Sequence, residues 1–133
     1  MNKELILKLI ERARASSENA YCPYSNTPMG CSLLVDDNIV LGGCNVENGV
    51  LSASVDAGEV AIFKAISEGY TKFRAICFWS EEKMPYPSGR TRQLLAEFNK
   101  NLNMIIATGT ADVSYSIATL ADLFPFPPEA TIE

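Results

Sequence analysis

DAGEVAIFKAISEG, residues 56–69, opens on an acid, closes on a glycine, and sets Val60, Ile62, Phe63 and Ile66 near helical spacing. That spacing predicts an amphipathic helix with those four side chains facing a core. Asp56 followed three residues later by Glu59 matches a capping box, and Gly69 is a stop signal. Directly after it, FRAICFW at 73–79 is a short apolar run and predicts a buried strand.

Toward the N-terminus, Cys31–Val35 and Ile39–Gly42 are apolar runs on either side of Asp36-Asp37-Asn38. Two such runs around a turn signal predict a β-hairpin. YCPYSNTPM at 21–29 carries two prolines and reads as a loop. Residues 3–16 place Leu5, Leu7, Leu9, Ile10 and Ala13 near helical spacing. Toward the C-terminus, KMPYPSG at 83–89 is a loop, and residues 90–100 predict a helix with Leu94, Leu95 and Phe98 on one face. Residues 103–108 and 113–117 read as strands, and 120–124 as a helical turn. The proline-rich FPFPPEATIE at 124–133 cannot continue that turn. A hairpin followed by βαβ units implies the α/β class, with a mixed five-stranded sheet between helices in a three-layer α/β/α sandwich.

A chain of 133 residues, 47% hydrophobic and 20% charged, is expected to form one domain over 1–133. Its net charge of −5 disfavours nucleic acid and anionic membranes as partners. MNKELILKLIERA reads as a helix rather than a leader peptide, and no apolar run has the length of a membrane span. Cys22, Cys31, Cys44 and Cys77 form no C-x-x-C pair and read as reduced thiols, which suits a cytoplasmic setting. Histidine is absent, which removes the commonest general base and metal ligand together.

The succession YCPYS at 21–25, GCNVEN at 43–48, AIFKAISEG at 61–69, GRTRQLLAEF at 89–98 and the leucine-proline segment at 120–128 resembles the small homo-oligomeric cytidine deaminases over nearly the whole chain. The resemblance implies a zinc site at two helix starts, Cys-Ala-Glu and Pro-Cys-x-x-Cys. There three thiolates hold the metal, and the glutamate carries protons between water and the pyrimidine. Asp56-Ala57-Gly58 stands at the first start and Pro87-Ser88-Gly89-Arg90-Thr91 at the second. Asp56, Ser88 and Thr91 therefore occupy the ligand positions, Gly58 that of the proton carrier, and Glu59 that of an arginine. Serine and threonine hydroxyls do not ionise near neutral pH, so the expectation is no metal and no cofactor. Asp56 and Ser88 suit helix N-caps instead. Were a cation to bind among Asp56, Glu59, Ser88 and Thr91, oxygen donors would favour magnesium or calcium. Sliding Glu59 into the position of Gly58 is disfavoured, because a one-residue rotation of about 100° would turn Val60, Ile62 and Phe63 from the core.

The resemblance further implies that Asn45 and Glu47 bind ribose hydroxyls, although Asn is equally at home in a turn after a hairpin. Asp56 and Glu59 lie at the same pocket, and Phe124 or Phe126 would supply a ring over the base. Thr27 and Leu51 stand where relatives carry aromatic rings. Arg92 and Gln93 match the family's Arg-Gln, in a framework or interface role. Three readings of function follow. One is a non-catalytic homo-oligomer, dimer or tetramer, that keeps a nucleoside-like ligand. The second is an enzyme using Asp56 and Glu59 as acid and base on a nucleoside, for example at its glycosidic bond. The third is a regulatory or structural subunit.

Overall fold

The structure, a computed structural model, describes residues 1–128. The last five residues of the proline-rich tail lie outside the described residues. The elements are α1 (Lys3–Ser17), β1 (Met29–Val35), a 3-10 turn (Asp36–Asn38), β2 (Val40–Cys44), a second 3-10 turn (Leu51–Ala53), α2 (Ala57–Ser67), β3 (Phe73–Ser80), α3 (Gly89–Phe98), β4 (Asn103–Thr108), β5 (Ser114–Thr119) and α4 (Leu120–Leu123). Asn38 adopts a left-handed φ of 59° in the hairpin turn, a conformation that Asn tolerates. Gly69, at φ 92°, ends α2.

The five strands run in the order β2-β1-β3-β4-β5. Only β3 and β4 are parallel, joined through α3; β1 pairs antiparallel with β2 and β3, and β4 with β5. Alternation along the strands divides the core in two. On one face, Leu34, Ala75, Cys77, Trp79, Ile105 and Ala107 pack with Ile6, Leu9, Ile10 and Ala13 of α1. On the other, Leu33, Val35, Ile76, Phe78, Met104 and Ile106 meet Ala61, Ile62 and Ala65 of α2 and Leu95 of α3. The result is the three-layer α/β/α arrangement with a mixed sheet.

The inward face of α2 departs from the sequence reading. Its buried residues are Ala57, Gly58, Glu59, Ala61, Ile62 and Ala65. Phe63 is 42% exposed and Ile66 37%, and Val60 is half-buried, so of the four expected core residues only Ile62 is one. The cause is close helix–sheet approach. A Cβ on Gly43 of β2 would stand 2.5 Å from the Ala57 carbonyl oxygen and 2.7 Å from the Ala61 nitrogen. Small side chains must line so short a contact, and the bulky ones are turned outward.

Candidate functional site

The helices α2 and α3 bring their N-termini together. Asp56 caps α2, its Oδ1 accepting from the Glu59 N–H at 2.8 Å, and Ser88 caps α3, its Oγ accepting from the Thr91 N–H at 3.2 Å. The other carboxylate oxygen of Asp56 crosses between the helices. Oδ2 accepts from Thr91 Oγ1 at 2.7 Å and from Ser88 Oγ at 3.0 Å. The two hydroxyl oxygens are 3.2 Å apart. Each hydroxyl has one proton, and both protons point at Asp56. Thr91 is fully buried, Asp56 half-buried and Ser88 exposed, so the Thr91 end of this network is the part shielded from competing water.

Position 58 faces this network. A Cβ on Gly58 would lie 2.8 Å from Phe78 Cε1, 2.8 Å from Thr91 Cγ2 and 3.4 Å from Asp56 Oδ1. Glu59 points elsewhere: its side chain is 5% exposed, and Oε1 receives Arg90 Nε at 2.8 Å. Glu59 thus does not take the place of residue 58. The physical reason is the packing of Ala61, Ile62 and Ala65, not of Val60 and Phe63 as the sequence suggested. Burial raises the Glu59 carboxyl above its ordinary range, and the Asp56 charge adds to this, while Arg90 acts in the opposite sense.

Asn45 and Glu47 lie beyond β2, where they organise the 21–28 loop. Buried Asn45 accepts from the Met29 N–H at 2.9 Å through Oδ1 and donates to the Thr27 carbonyl at 3.0 Å through Nδ2. Glu47 Oε1 accepts from the N–H groups of Tyr24 and Ser25, each at 3.0 Å, and Oε2 from Ser25 Oγ at 2.5 Å. The Ser25 hydroxyl is the main reason that the Glu47 carboxyl lies below its ordinary value. Beside this carboxylate opens a cavity of about 440 Å³, lined by Tyr24, Ser25, Glu47, Asn48, Gly49, Leu51 and Ser54. Asp56, Glu59, Ser88 and Thr91 are not part of its wall.

The structure therefore brings Asp56, Ser88 and Thr91 together, with Gly58 against them, and holds Asn45 and Glu47 in a separate cluster. Phe126 is 91% exposed, its ring in solvent, whereas Phe124 packs on the core. Thr27 closes the loop on Ser25, and Leu51 is 87% exposed at the cavity mouth. Arg92 ties the start of α3 to Pro87 and Leu123 carbonyls, each at 3.0 Å, a framework contact, and Gln93 is exposed. The four thiols are free; Cys31 and Cys77 are buried, and burial raises both. Among the described residues no group of three or more His, Cys, Asp or Glu side chains stands close enough to hold a metal ion. Arg90, Phe78 and Ser25 were not singled out in the sequence. Arg90 reaches Glu59 from a different helix, and no spacing rule marks such a pair.

An α/β/α sandwich with this mixed five-stranded sheet is the fold of solved cytidine deaminases. The chain belongs to the cytidine and deoxycytidylate deaminase family, whose zinc-binding region matches residues 3–99. A cytidine deaminase of Sporosarcina psychrophila is 36% identical over 120 residues, 89% of this chain and 87% of that protein. The crystal structure of cytidine deaminase from Burkholderia pseudomallei superposes with a TM-score of 0.84 at 34% identity, covering 96% of this chain and 99% of the other. That of Mycobacterium tuberculosis gives a TM-score of 0.79 at 27% identity, covering 93% and 97%.

Proposed function

We propose that this cytidine deaminase-like chain does not carry out zinc-dependent deamination and that it binds a nucleoside-like ligand in the cavity beside Glu47. The observation that carries the reading is the Asp56 carboxylate between Ser88 and Thr91. Zinc favours thiolate and imidazole and needs its ligands deprotonated. One carboxylate and two hydroxyls that already donate to it do not fit that ion. Gly58 brings no carboxylate to move a proton, and Phe78 and Thr91 fill the space its Cβ would enter. The names of the relatives favour an active deaminase; the donor chemistry of Asp56, Ser88 and Thr91 weighs against it.

Glu47 keeps acceptor capacity toward the cavity beyond its bonds to Tyr24 and Ser25, which suits a vicinal diol. Asn45 then acts as a positioning residue, since both of its polar atoms already hold the loop. Turnover by Asp56 and Glu59 as acid and base is less well supported, because Asp56 holds three donors and Glu59 is buried against Arg90. Assembly as a dimer or tetramer is supported by Phe126, Leu51, Tyr24 and Phe63, which leave large apolar area uncovered. A partner copy would cover them. Residues 1–133 act as one domain in this reading. Free thiols in half-exposed positions, at Cys22 and Cys44, suit a reducing, cytoplasmic setting, and no helix among the described residues is long and apolar enough to cross a membrane.

The test is incubation of the purified protein with cytidine, deoxycytidine and a panel of other nucleosides, followed by mass spectrometry and by titration calorimetry. Binding of at least one nucleoside without conversion is the expected result. Conversion of cytidine to uridine overturns the reading.

A further inference from the structure

A second cleft lies at β2, lined from α1 and α2. Its volume is about 290 Å³, and Arg12, Ser16, Asn19, Gly42, Cys44 and Lys64 are among its lining residues. Two cations meet here in a chain of net charge −5. Neither has a carboxylate partner within ion-pair distance among the described residues: Arg14, two positions beyond Arg12, takes Glu11 and Glu18 instead. Lys64 Nζ donates one N–H to the Gly42 carbonyl at 2.5 Å, which fixes its ammonium over the strand and leaves two N–H groups for another acceptor.

The backbone of β2 forms the floor. A Cβ on Gly42 would come within 2.1 Å of Ser16 Oγ and 3.0 Å of Arg12 Nε, so a side chain there would push both aside, and glycine leaves the guanidinium close to the strand. Cys44 on the wall is raised by burial, so its thiol is neutral near pH 7 and repels no anion. Arg12 of α1 offers a planar fork of donors, Lys64 of α2 a compact charge, and Asn19, just past α1, an amide, all lining one small space. A tetrahedral oxyanion uses donors from several directions, whereas a planar carboxylate is satisfied by the fork alone. The overall negative charge opposes an anion only weakly at this range, since salt screens charges beyond about 8 Å at physiological ionic strength.

We propose that the cleft between α1, α2 and β2 binds a phosphate group, held by Arg12 and Lys64 over the Gly42–Gly43 backbone. This site is separate from the cavity at Glu47 and does not depend on whether that cavity takes a nucleoside.

The full chain is titrated with inorganic phosphate and, separately, with methyl phosphate at low ionic strength, and read by calorimetry and by amide nuclear magnetic resonance. Binding that weakens as salt is added, with the Gly42 and Gly43 amides moving most, is the expected result. Arg12 is exposed, so Arg12→Gln keeps the fold; it is expected to weaken binding roughly tenfold, and Arg12→Lys to recover part of that loss. Binding of both compounds supports a phosphate monoester as the ligand class, and binding of inorganic phosphate alone supports the free ion. No binding of either, or equal binding by wild type and Arg12→Gln, overturns the proposal.

Discussion

The two helix starts and the loop after β2 use the same kinds of side chain to opposite effect. At the helix starts, one carboxylate and two hydroxyls face each other, and the network closes on itself around the buried Thr91. At the loop, the Glu47 carboxylate and the Ser25 hydroxyl also pair, but a cavity of about 440 Å³ remains beside them. The difference comes from what stands next to each cluster. Phe78 and the Thr91 methyl press on Gly58, whereas Gly49 and an exposed Leu51 border Glu47. A polar cluster becomes a structural clamp when apolar neighbours leave no room, and lines an open cavity when they do.

The strongest challenge to this contrast is Asp56→Ala. It takes the acceptor from the Glu59 N–H and from two hydroxyls, one of them fully buried. A lost cap together with an unsatisfied buried hydroxyl costs about 2–4 kcal/mol, seen as a lower midpoint in denaturant unfolding. An effect near zero would mean that the helix starts are held by something else. Gly58→Ala is next. Its methyl group crowds Phe78 and Thr91 and is expected to cost about 1–3 kcal/mol, despite the better helix propensity of Ala. Adding Thr91→Ser removes the methyl from one side and is expected to restore part of that loss, so the double variant sharpens the claim that position 58 is closed by packing.

The loop should respond differently. Glu47→Gln keeps the size of the side chain but removes the charge that holds Ser25, and the Tyr24 and Ser25 amides are expected to exchange with solvent roughly tenfold faster, while the helix starts stay protected. The smallest effect is in pH dependence, where the two regions have opposite signs. The Glu59 carboxyl is raised above its ordinary 4.5, chiefly by burial. Its share of stability is complete below that value and is lost as pH rises through the raised one. Glu47 is lowered, mainly by Ser25, so its share is present above 4.5 and is lost as pH falls through the lowered value. Glu59→Gln removes the first slope and Glu47→Gln the second; unfolding midpoints measured across acid pH separate them.

Element order was legible because strands and helices here are short, apolar and punctuated by Asn, Gly and Pro. The strand at Asn103–Thr108 and the turn at Asp36–Asn38 lie where apolar run and turn chemistry put them. The inward face of α2 was not legible. Periodicity counts bulk, and in this helix Ala57, Gly58, Ala61 and Ala65 make the contact while Phe63 and Ile66 are turned out. The meeting of Asp56 with Ser88 and Thr91 followed from the family resemblance; local sequence marked only the two caps. The bond from one helix start to the other joins residues 32 and 35 positions apart, a separation that no local pattern encodes. The same holds for Arg90 on Glu59, and for the use of Asn45 and Glu47 to pin the 21–28 loop.

The measurement that bears most directly on the central claim is elemental analysis of the protein expressed and purified with zinc supplied, alongside its thermal unfolding before and after a strong chelator. Zinc well below stoichiometric, with an unfolding curve the chelator leaves in place, is the expected result. Near-stoichiometric zinc, with a midpoint that falls when the chelator strips it, would contradict the account.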